Sequence, residues 1–335
     1  MRHDNVFLNG IGSHLPPVVP VDDAVRAGQL READRVKIGA TGVPISETEE
    51  SPPEMAVQAA VKALKNADSS PAEIGLLLFG CLWDPEHVAP ATYVHHHLGV
   101  PPDAMAFEIR QGCNGALAAM AAAAWHLGSR PGAAPVLVAT ADRFRAPAWD
   151  RYSARDGYLW GDAASAAVLS THEGPIRLLS TTSRSMSEAE EVGRRSPMSL
   201  GSPADLPGVR LRQEFHMYKR LGPQNVRSGL QAAVRAVVEQ ATTDAGTSLE
   251  RISRFLVPNM GEQWRKWALL EPLGITEDRT TWTDHGRHIG HTGLADQFLA
   301  LEHLLEQGAL GSGDQVVLAS YAVGFTFTAA VVQIA

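Results

Sequence analysis

The sequence predicts an α/β protein made of two similar halves, and three observations carry that prediction. Helix-forming segments alternate with continuous apolar runs such as Ile74–Gly80, Pro135–Thr140 and Ala163–Ser170. Apolar runs of that kind between helices belong to a sheet covered on both faces. Segments of the first half return, in the same order, in the second half. The stretch Phe107–Leu127 passes from a strand-like run through Gly112-Cys113-Asn114-Gly115 into an Ala-rich segment with almost no charge. Such a segment describes a helix buried on all sides.

Composition sets the bounds. The chain has 335 residues, 44% of them hydrophobic and 20% charged, which suits a globular enzyme with ample buried core. A net charge of -8 argues against nonspecific nucleic-acid binding. The two cysteines, Cys81 and Cys113, suggest neither a disulfide framework nor a Cys-based zinc site. No run approaches the ~18 apolar residues of a membrane span, and the N-terminus lacks the apolar core of a secretory signal. No glycine fingerprint follows a strand and no ligand spacing clusters, so no metal or redox cofactor is indicated. A cytoplasmic enzyme is expected.

The elements follow in order. Val6–Gly12 reads as an opening strand, and Val21–Glu50, broken by Gly39, Gly42 and Pro44, as helix and loop. Ser51-Pro52-Pro53-Glu54 starts a helix that runs to about Asn66, with Ser as N-cap, Pro in the first turn and Glu three residues on. A strand at Ile74–Gly80 ends at Cys81, and Pro90–Leu98 reads as a helix. Ser183–Arg212, rich in Ser, Gly, Pro and charge, reads as a long loop. Beyond it, the helical segment Gly229–Ala236 echoes Met55–Ala63, and Phe255–Val257 answers Ile74–Phe79. Gly290-His291-Thr292-Gly293-Leu294-Ala295 answers Gly112–Leu117, and the strand Gln315–Ser320 answers Pro135–Thr140. Gln58 lies 55 residues before Cys113, and Gln231 lies 60 before His291. One echo of Ala-rich helices is within chance; four in one order imply duplication.

The chemistry concentrates at Cys113. A thiol in the first turn of a buried helix faces unpaired N–H groups and the positive end of the dipole, which favours the nucleophilic thiolate. The alternative is a Cys buried as a small apolar residue. If the halves pack about a pseudo-twofold axis, Cys113 and His291 begin equivalent central helices and meet at one pocket as a thiolate–base pair. Among the 13 His residues, only His291 has this repeat argument. His285 and His288 share its loop, and a metal role for His95-His96-His97 lacks partners. Cys81 is read as packing at the pocket border.

These residues resemble the thiolase superfamily, most specifically ketoacyl-ACP synthase III, over nearly the whole chain. The nucleophile segment around Cys113 and the run Trp160-Gly161-Asp162-Ala163-Ala164-Ser165-Ala166 are similar to that family's motifs. The resemblance implies a duplicated five-layer αβαβα thiolase fold, with one half spanning 1–175 around Cys113 and the other 176–335 carrying Asn259 and His291. It implies a homodimer, and an oxyanion hole formed by the backbone N–H groups of Cys113 and Val323. Asn114 is read as structural.

Two departures shape the functional expectation. The family's V-P-H-Q-A-N motif reads Val257-Pro258-Asn259-Met260-Gly261-Glu262 here, and its G-N-T-S-A motif reads Gly290-His291-Thr292-Gly293. His and Asn are exchanged, and in that family the pair stabilises the enolate formed on decarboxylation. The segment around Arg31–Gly39 lacks the family's nucleotide-binding Trp, which favours an acyl carrier protein over CoA as donor, although arginines such as Arg155 remain for phosphate. The first reading is therefore an acyltransferase of secondary metabolism, of the antibiotic or polyketide type. It moves an acyl group from an acyl carrier protein, or CoA, through a Cys113 thioester to a hydroxyl, thiol or amine, with His291 as base and Asn259 assisting. The second is a decarboxylating 3-oxoacyl-ACP synthase III, and the third a silent homologue that binds carriers or partner subunits.

Overall fold

The computed structural model describes residues 1–84, 86–130, 132–146, 149–154, 157–189, 222–322 and 324–335. The strands are β1 Phe7–His14, β2 Val18–Pro20, β3 Gly42–Pro44, β4 Leu76–Gly80, β5 Met105–Glu108, β6 Val136–Asp142, β7 Ala163–Ser170, β8 Ile176–Ser185, β9 Arg254–Leu256, β10 Gln315–Ala322 and β11 Thr326–Ile334. The helices that frame them are α1 Val21–Arg26, α2 Glu32–Ile38, α3 Pro52–Asn66, α4 Pro90–Leu98, α5 Gly115–Ser129, α6 Pro223–Asp244 and α7 Asp296–Glu306.

Among the described residues, nine strands form one sheet in the order β5-β4-β6-β7-β1-β8-β11-β10-β9. Apart from the edge strand β5, the order reads alike from both ends. β4, β6, β7 and β1 correspond to β9, β10, β11 and β8, with parallel pairing of β4 to β6 and of β9 to β10 and antiparallel pairing elsewhere in each set. The halves meet where β1 pairs β8 through Phe7 to Arg177 and Leu8 to Ile176. This is the duplicated thiolase-type α/β arrangement that the repeats predict. The residue-175 boundary falls in the turn between β7 and β8.

Alternation along the strands builds the layers. Leu76, Leu78, Val136 and Val138 face the same apolar cluster as Val316, Leu318, Ala330 and Val332, and α5 and α7 fill it. The intervening residues Leu77, Phe79, Leu137 and Ala139 pack outward onto α3 and α4. On the other side Val317, Ala319, Phe327 and Val331 pack outward onto α6. The two central helices thus lie between the half-sheets, with β4 and β6 on one side of α5 and β10 and β11 on the other.

Several expectations need adjustment. Ser183 and Ser185 belong to β8, because their hydroxyls pair with Thr328 and Thr326 of β11; residues 190–212 of the expected loop, like Arg155, lie outside the described residues. The segment Val21–Glu50 contains, besides α1 and α2, the short strand β3 paired with β2. α5 is buried along most of its length but emerges at its end, with Trp125 52% exposed. The helix start at Ser51 takes the expected form, with Glu54 accepting from the Ser51 backbone N–H at 2.6 Å and hydroxyl at 2.7 Å.

Candidate active site

Cys113 lies in a 3-10 turn, Gly112–Asn114, that runs directly into α5. Two contacts hold this turn against the second half. Ser320 of β10 donates its hydroxyl to the Cys113 carbonyl at 3.0 Å, and the Asn114 amide donates to Thr328 at 2.9 Å. Gly115 is required for the close approach that follows, since a Cβ there would stand 2.3 Å from Leu294 Cδ2.

His291 does not begin a helix as Cys113 does. It sits in a loop five residues before α7, fixed by strand-like pairing to Trp160. Its N–H donates to the Leu159 carbonyl at 2.8 Å, and its carbonyl accepts from Gly161 N–H at 2.9 Å. The Trp160 ring stands 4.8 Å from the imidazole, centre to centre. The Trp-Gly-Asp run therefore serves this loop directly. Asp162 braces the run from behind, accepting from Phe144 N–H at 2.8 Å, Ser46 N–H at 3.0 Å and the Arg151 guanidinium.

The loops bring three side chains into line. His291 Nε2 lies 3.1 Å from Cys113 Sγ, and His291 Nδ1 lies 2.6 Å from Asp296 Oδ2. Asp296 is fully buried and also accepts from Asn259 N–H at 2.7 Å, Thr292 N–H at 2.7 Å and the Thr292 hydroxyl at 2.7 Å. Burial opposes charge on both groups, but their mutual attraction wins. Against that burial, the Asp296 carboxylate and then the Cys113 sulfur hold the imidazole well above its ordinary value, to about 10. Asp296 is held below the usual carboxylate range, chiefly by His291, against its own burial. The result is a sulfur, an imidazole whose Nδ1 is committed to a carboxylate, and an Nε2 aimed at the sulfur. Such an arrangement can supply a nucleophile with a base and an orienting carboxylate.

The other expected site residues stand differently. Asn259 is buried, but its carboxamide is turned toward Gly286, where a Cβ would come within 2.3 Å of Asn259 Oδ1, and it is absent from the lining of the Cys113 cavity. Its contribution is the main-chain N–H to Asp296. At this position it is the main chain that meets the Cys–His–Asp line. Val323 lies outside the described residues. Cys81 borders the cavity, and burial pushes its thiol well above the ordinary range. Asp296 was not found from sequence, although an Asp opening the apolar run Asp296-Gln-Phe-Leu-Ala-Leu was a usable signal, since a buried carboxylate needs partners. Asp142 was also missed. It ends β6, is fully buried, and accepts from Leu82 N–H at 2.6 Å and Leu294 N–H at 3.0 Å, tying a cavity wall to the His291 loop.

The cavity over Cys113 holds about 270 Å³ and is lined by Cys81, Leu82, Arg110, Trp149, Tyr158, Trp160, Pro258, Met260 and Tyr321 around Cys113 and His291. An aromatic-walled cavity of this kind, closed on one side by a Cys–His–Asp line, defines an enzyme of the thiolase and acyltransferase type. Comparison with known proteins gives its family. Residues 107–187 match the description 3-oxoacyl-[acyl-carrier-protein] synthase III, and residues 242–334 match its C-terminal part. A beta-ketoacyl-[acyl-carrier-protein] synthase III of Sphingopyxis alaskensis is 31% identical over 98% of each chain. The chain belongs to the 3-oxoacyl-[acyl-carrier-protein] synthase III family. Among solved structures, the acyltransferase ChlB3 aligns with a TM-score of 0.91 at 33% identity, over 99% of this chain and 98% of that one. The synthase III of Aquifex aeolicus shares the fold at a TM-score of 0.75 and 23% identity, covering 98% of this chain and 99% of that one.

Proposed function

We propose that the protein is an acyltransferase that carries its acyl group as a Cys113 thioester and does not perform decarboxylative condensation. The observation that carries this reading is the Cys113–His291–Asp296 line, with the Asn259 side chain absent from the lining of the cavity over the sulfur. The donor is an acyl thioester, on an acyl carrier protein or CoA. Cys113 sulfur attacks the thioester carbonyl, its proton residing on His291 Nε2. The tetrahedral intermediate collapses, the carbon–sulfur bond to the donor breaks, and the departing thiolate takes the proton from the imidazolium. Acylation removes the sulfur's charge, one of the supports of the imidazolium, so the imidazole is then better able to accept a proton. A hydroxyl, thiol or amine acceptor gives that proton to Nε2 and attacks the acyl carbonyl, and Cys113 is released. Asp296 keeps Nδ1–H paired throughout. Backbone N–H groups of Cys113 and Val323 are the proposed oxyanion donors.

The likeness to ChlB3 supports transfer, and a place in secondary metabolism is part of the proposal. The likeness to synthase III enzymes favours the competing reading of decarboxylating synthase. A homodimer and a cytoplasmic location complete the proposal, with the halves 1–175 and 176–335 as its domains. Intact-protein mass after incubation with acyl- and malonyl-carrier proteins, with carbon dioxide release followed in parallel, separates the readings. The expected result is an acyl adduct in the wild type, absent from Cys113→Ala and strongly slowed in His291→Ala, without decarboxylation. Carbon dioxide release coupled to a ketoacyl product would overturn the proposal in favour of the synthase. Absence of any adduct would leave a binding-only protein.

A further inference from the structure

The lining of the Cys113 cavity has a charge pattern that acyl transfer alone does not require. Among the described residues that line it, none is acidic, while one, Arg110, carries a guanidinium. Arg110 stands three residues before the nucleophile and makes no hydrogen bond or ion pair with any described residue. It also borders an adjoining cavity lined by Trp83, Asp84, His87 and Glu108, but forms no ion pair with either carboxylate there. Its charge is felt at Cys81 on the shared wall, where it opposes the upward push of burial and of Asp142, Asp84 and Glu108. The rest of the wall is aromatic or apolar: Trp149, Tyr158, Trp160, Met260 and Tyr321.

Among the described residues no carboxylate forms an ion pair with the Arg110 guanidinium. A guanidinium presents a fork of donors that matches a carboxylate. Because Arg110 is exposed, solvent screens part of the attraction. The aromatic surface opposite limits that screening, since fewer water dipoles can answer the charge.

We infer that Arg110 forms an anion subsite beside Cys113, and that the acyl group transferred carries a carboxylate, as in a dicarboxylic acid bound through one end as a thioester. This rests on the proposed Cys113 thioester and adds to it the class of acyl group. The same chemistry would also hold a phosphate of the donor's carrier arm. The acyl carboxylate is favoured because Arg110 lines the cavity of the nucleophile itself and lies so near it in sequence.

The test uses phosphate-free N-acetylcysteamine thioesters with the intact protein. The rate of adduct formation at Cys113 is measured by mass for the succinyl thioester and for its neutral methyl ester. The wild type is expected to prefer succinyl by roughly tenfold or more, the size of one charge-assisted hydrogen bond. In Arg110→Gln the ratio of the two rates falls to about one, and Arg110→Lys keeps part of the preference. A wild type that takes both thioesters at equal rates overturns the inference while leaving the acyltransferase reading standing. So does an Arg110→Gln protein in which both rates fall together. If Arg110→Gln slows only donors bearing the pantetheine phosphate, whatever their acyl group, the subsite belongs to the carrier arm and the acyl assignment fails. Absence of any adduct from either thioester or from carrier-bound donors would instead remove the thioester reading itself.

Discussion

Replacing Asp296 by Asn tests the central geometry with the smallest change of shape. The carboxylate accepts four hydrogen bonds, Oδ1 from the Thr292 N–H and hydroxyl and Oδ2 from His291 Nδ1 and Asn259 N–H. An amide can keep one side. If its oxygen stays on Thr292, its NH₂ faces the Asn259 N–H and His291 Nδ1, so one backbone donor is orphaned. The imidazole must then turn Nδ1 into an acceptor, which places its proton on Nε2 and points N–H at the sulfur. That tautomer cannot take the thiol proton. The variant loses two charge-assisted hydrogen bonds of roughly 1.5–3 kcal/mol each. If most of that loss falls on the reacting state, acylation slows by roughly 10²–10⁴-fold. Single-turnover acylation, followed by rapid quench and intact mass, measures it, with circular dichroism to verify the fold. In the wild type, the raised imidazole keeps its proton until the pH approaches about 10; in the variant this upper limit moves down. A single-turnover rate within about threefold of wild type would show that the carboxylate does not set the proton's position, and the reasoning would fail.

Three further outcomes follow from the same loops. Asn259→Ala keeps the main-chain N–H on Asp296, so acylation should stay within about threefold of wild type; a loss of a hundredfold would mean that the carboxamide acts on substrate after all. Gly293 has φ +68°, and a Cβ there would lie 1.9 Å from Asp142 Oδ2. Gly293→Ala should therefore cost at least ~2 kcal/mol and lower Tm measurably, whereas an unchanged Tm would refute the close packing. Burial pushes the Asp142 carboxyl up from 3.8 to about 7, against the pull of the Leu82 and Leu294 N–H groups. The folded state thus holds this proton more tightly than the unfolded one. The group's contribution to stability is greatest below the unfolded value and falls, by up to about 1.4 kcal/mol per pH unit, as the pH rises between the two. Denaturant titrations of wild type and Asp142→Asn at several pH values should show their stability difference shifting in that sense; a difference constant with pH would overturn the assignment.

The sequence carried the architecture further than the site. Paired echoes such as Gly112–Leu117 and Gly290–Ala295 predict two similar halves, and the strand order mirrors them apart from β5. They also led to His291 among 13 histidines, which the structure sets against Cys113. The halves differ in one respect: where the repeats predict a helix opening at His291, the chain needs five more residues before α7 begins. Those residues form the loop that swings the imidazole onto the sulfur and let Asp296 reach it from the helix start. Asp296 and Asp142 escaped because a buried carboxylate announces itself only through its partners, here backbone N–H groups of Asn259, Thr292, Leu82 and Leu294 that are distant or unremarkable in sequence. Asn259 differs again: its identity invites a chemical role, while in the fold its Oδ1 packs close to Gly286 and its side chain does not line the Cys113 cavity.

The exchange of His and Asn between the two loops is therefore not a neutral swap. An imidazole carried at 259 would sit on a loop whose main chain already serves Asp296. An imidazole at 291 has the carboxylate on its own Nδ1, with Thr292 steadying that carboxylate from the other side. In the proposed mechanism the carboxylate and the sulfur together keep Nε2 protonated until acylation, which suits an acid that must release a donor thiol and then a base that must accept an acceptor's proton. Stabilising an enolate asks for something else, namely two donors converging on one carbonyl oxygen, and the Asn259 side chain, the second of the expected pair, does not line the cavity over Cys113. The two chemistries thus differ in whether the Asn259 side chain takes part in the Cys113 cavity, and the carbon dioxide measurement tests that difference directly.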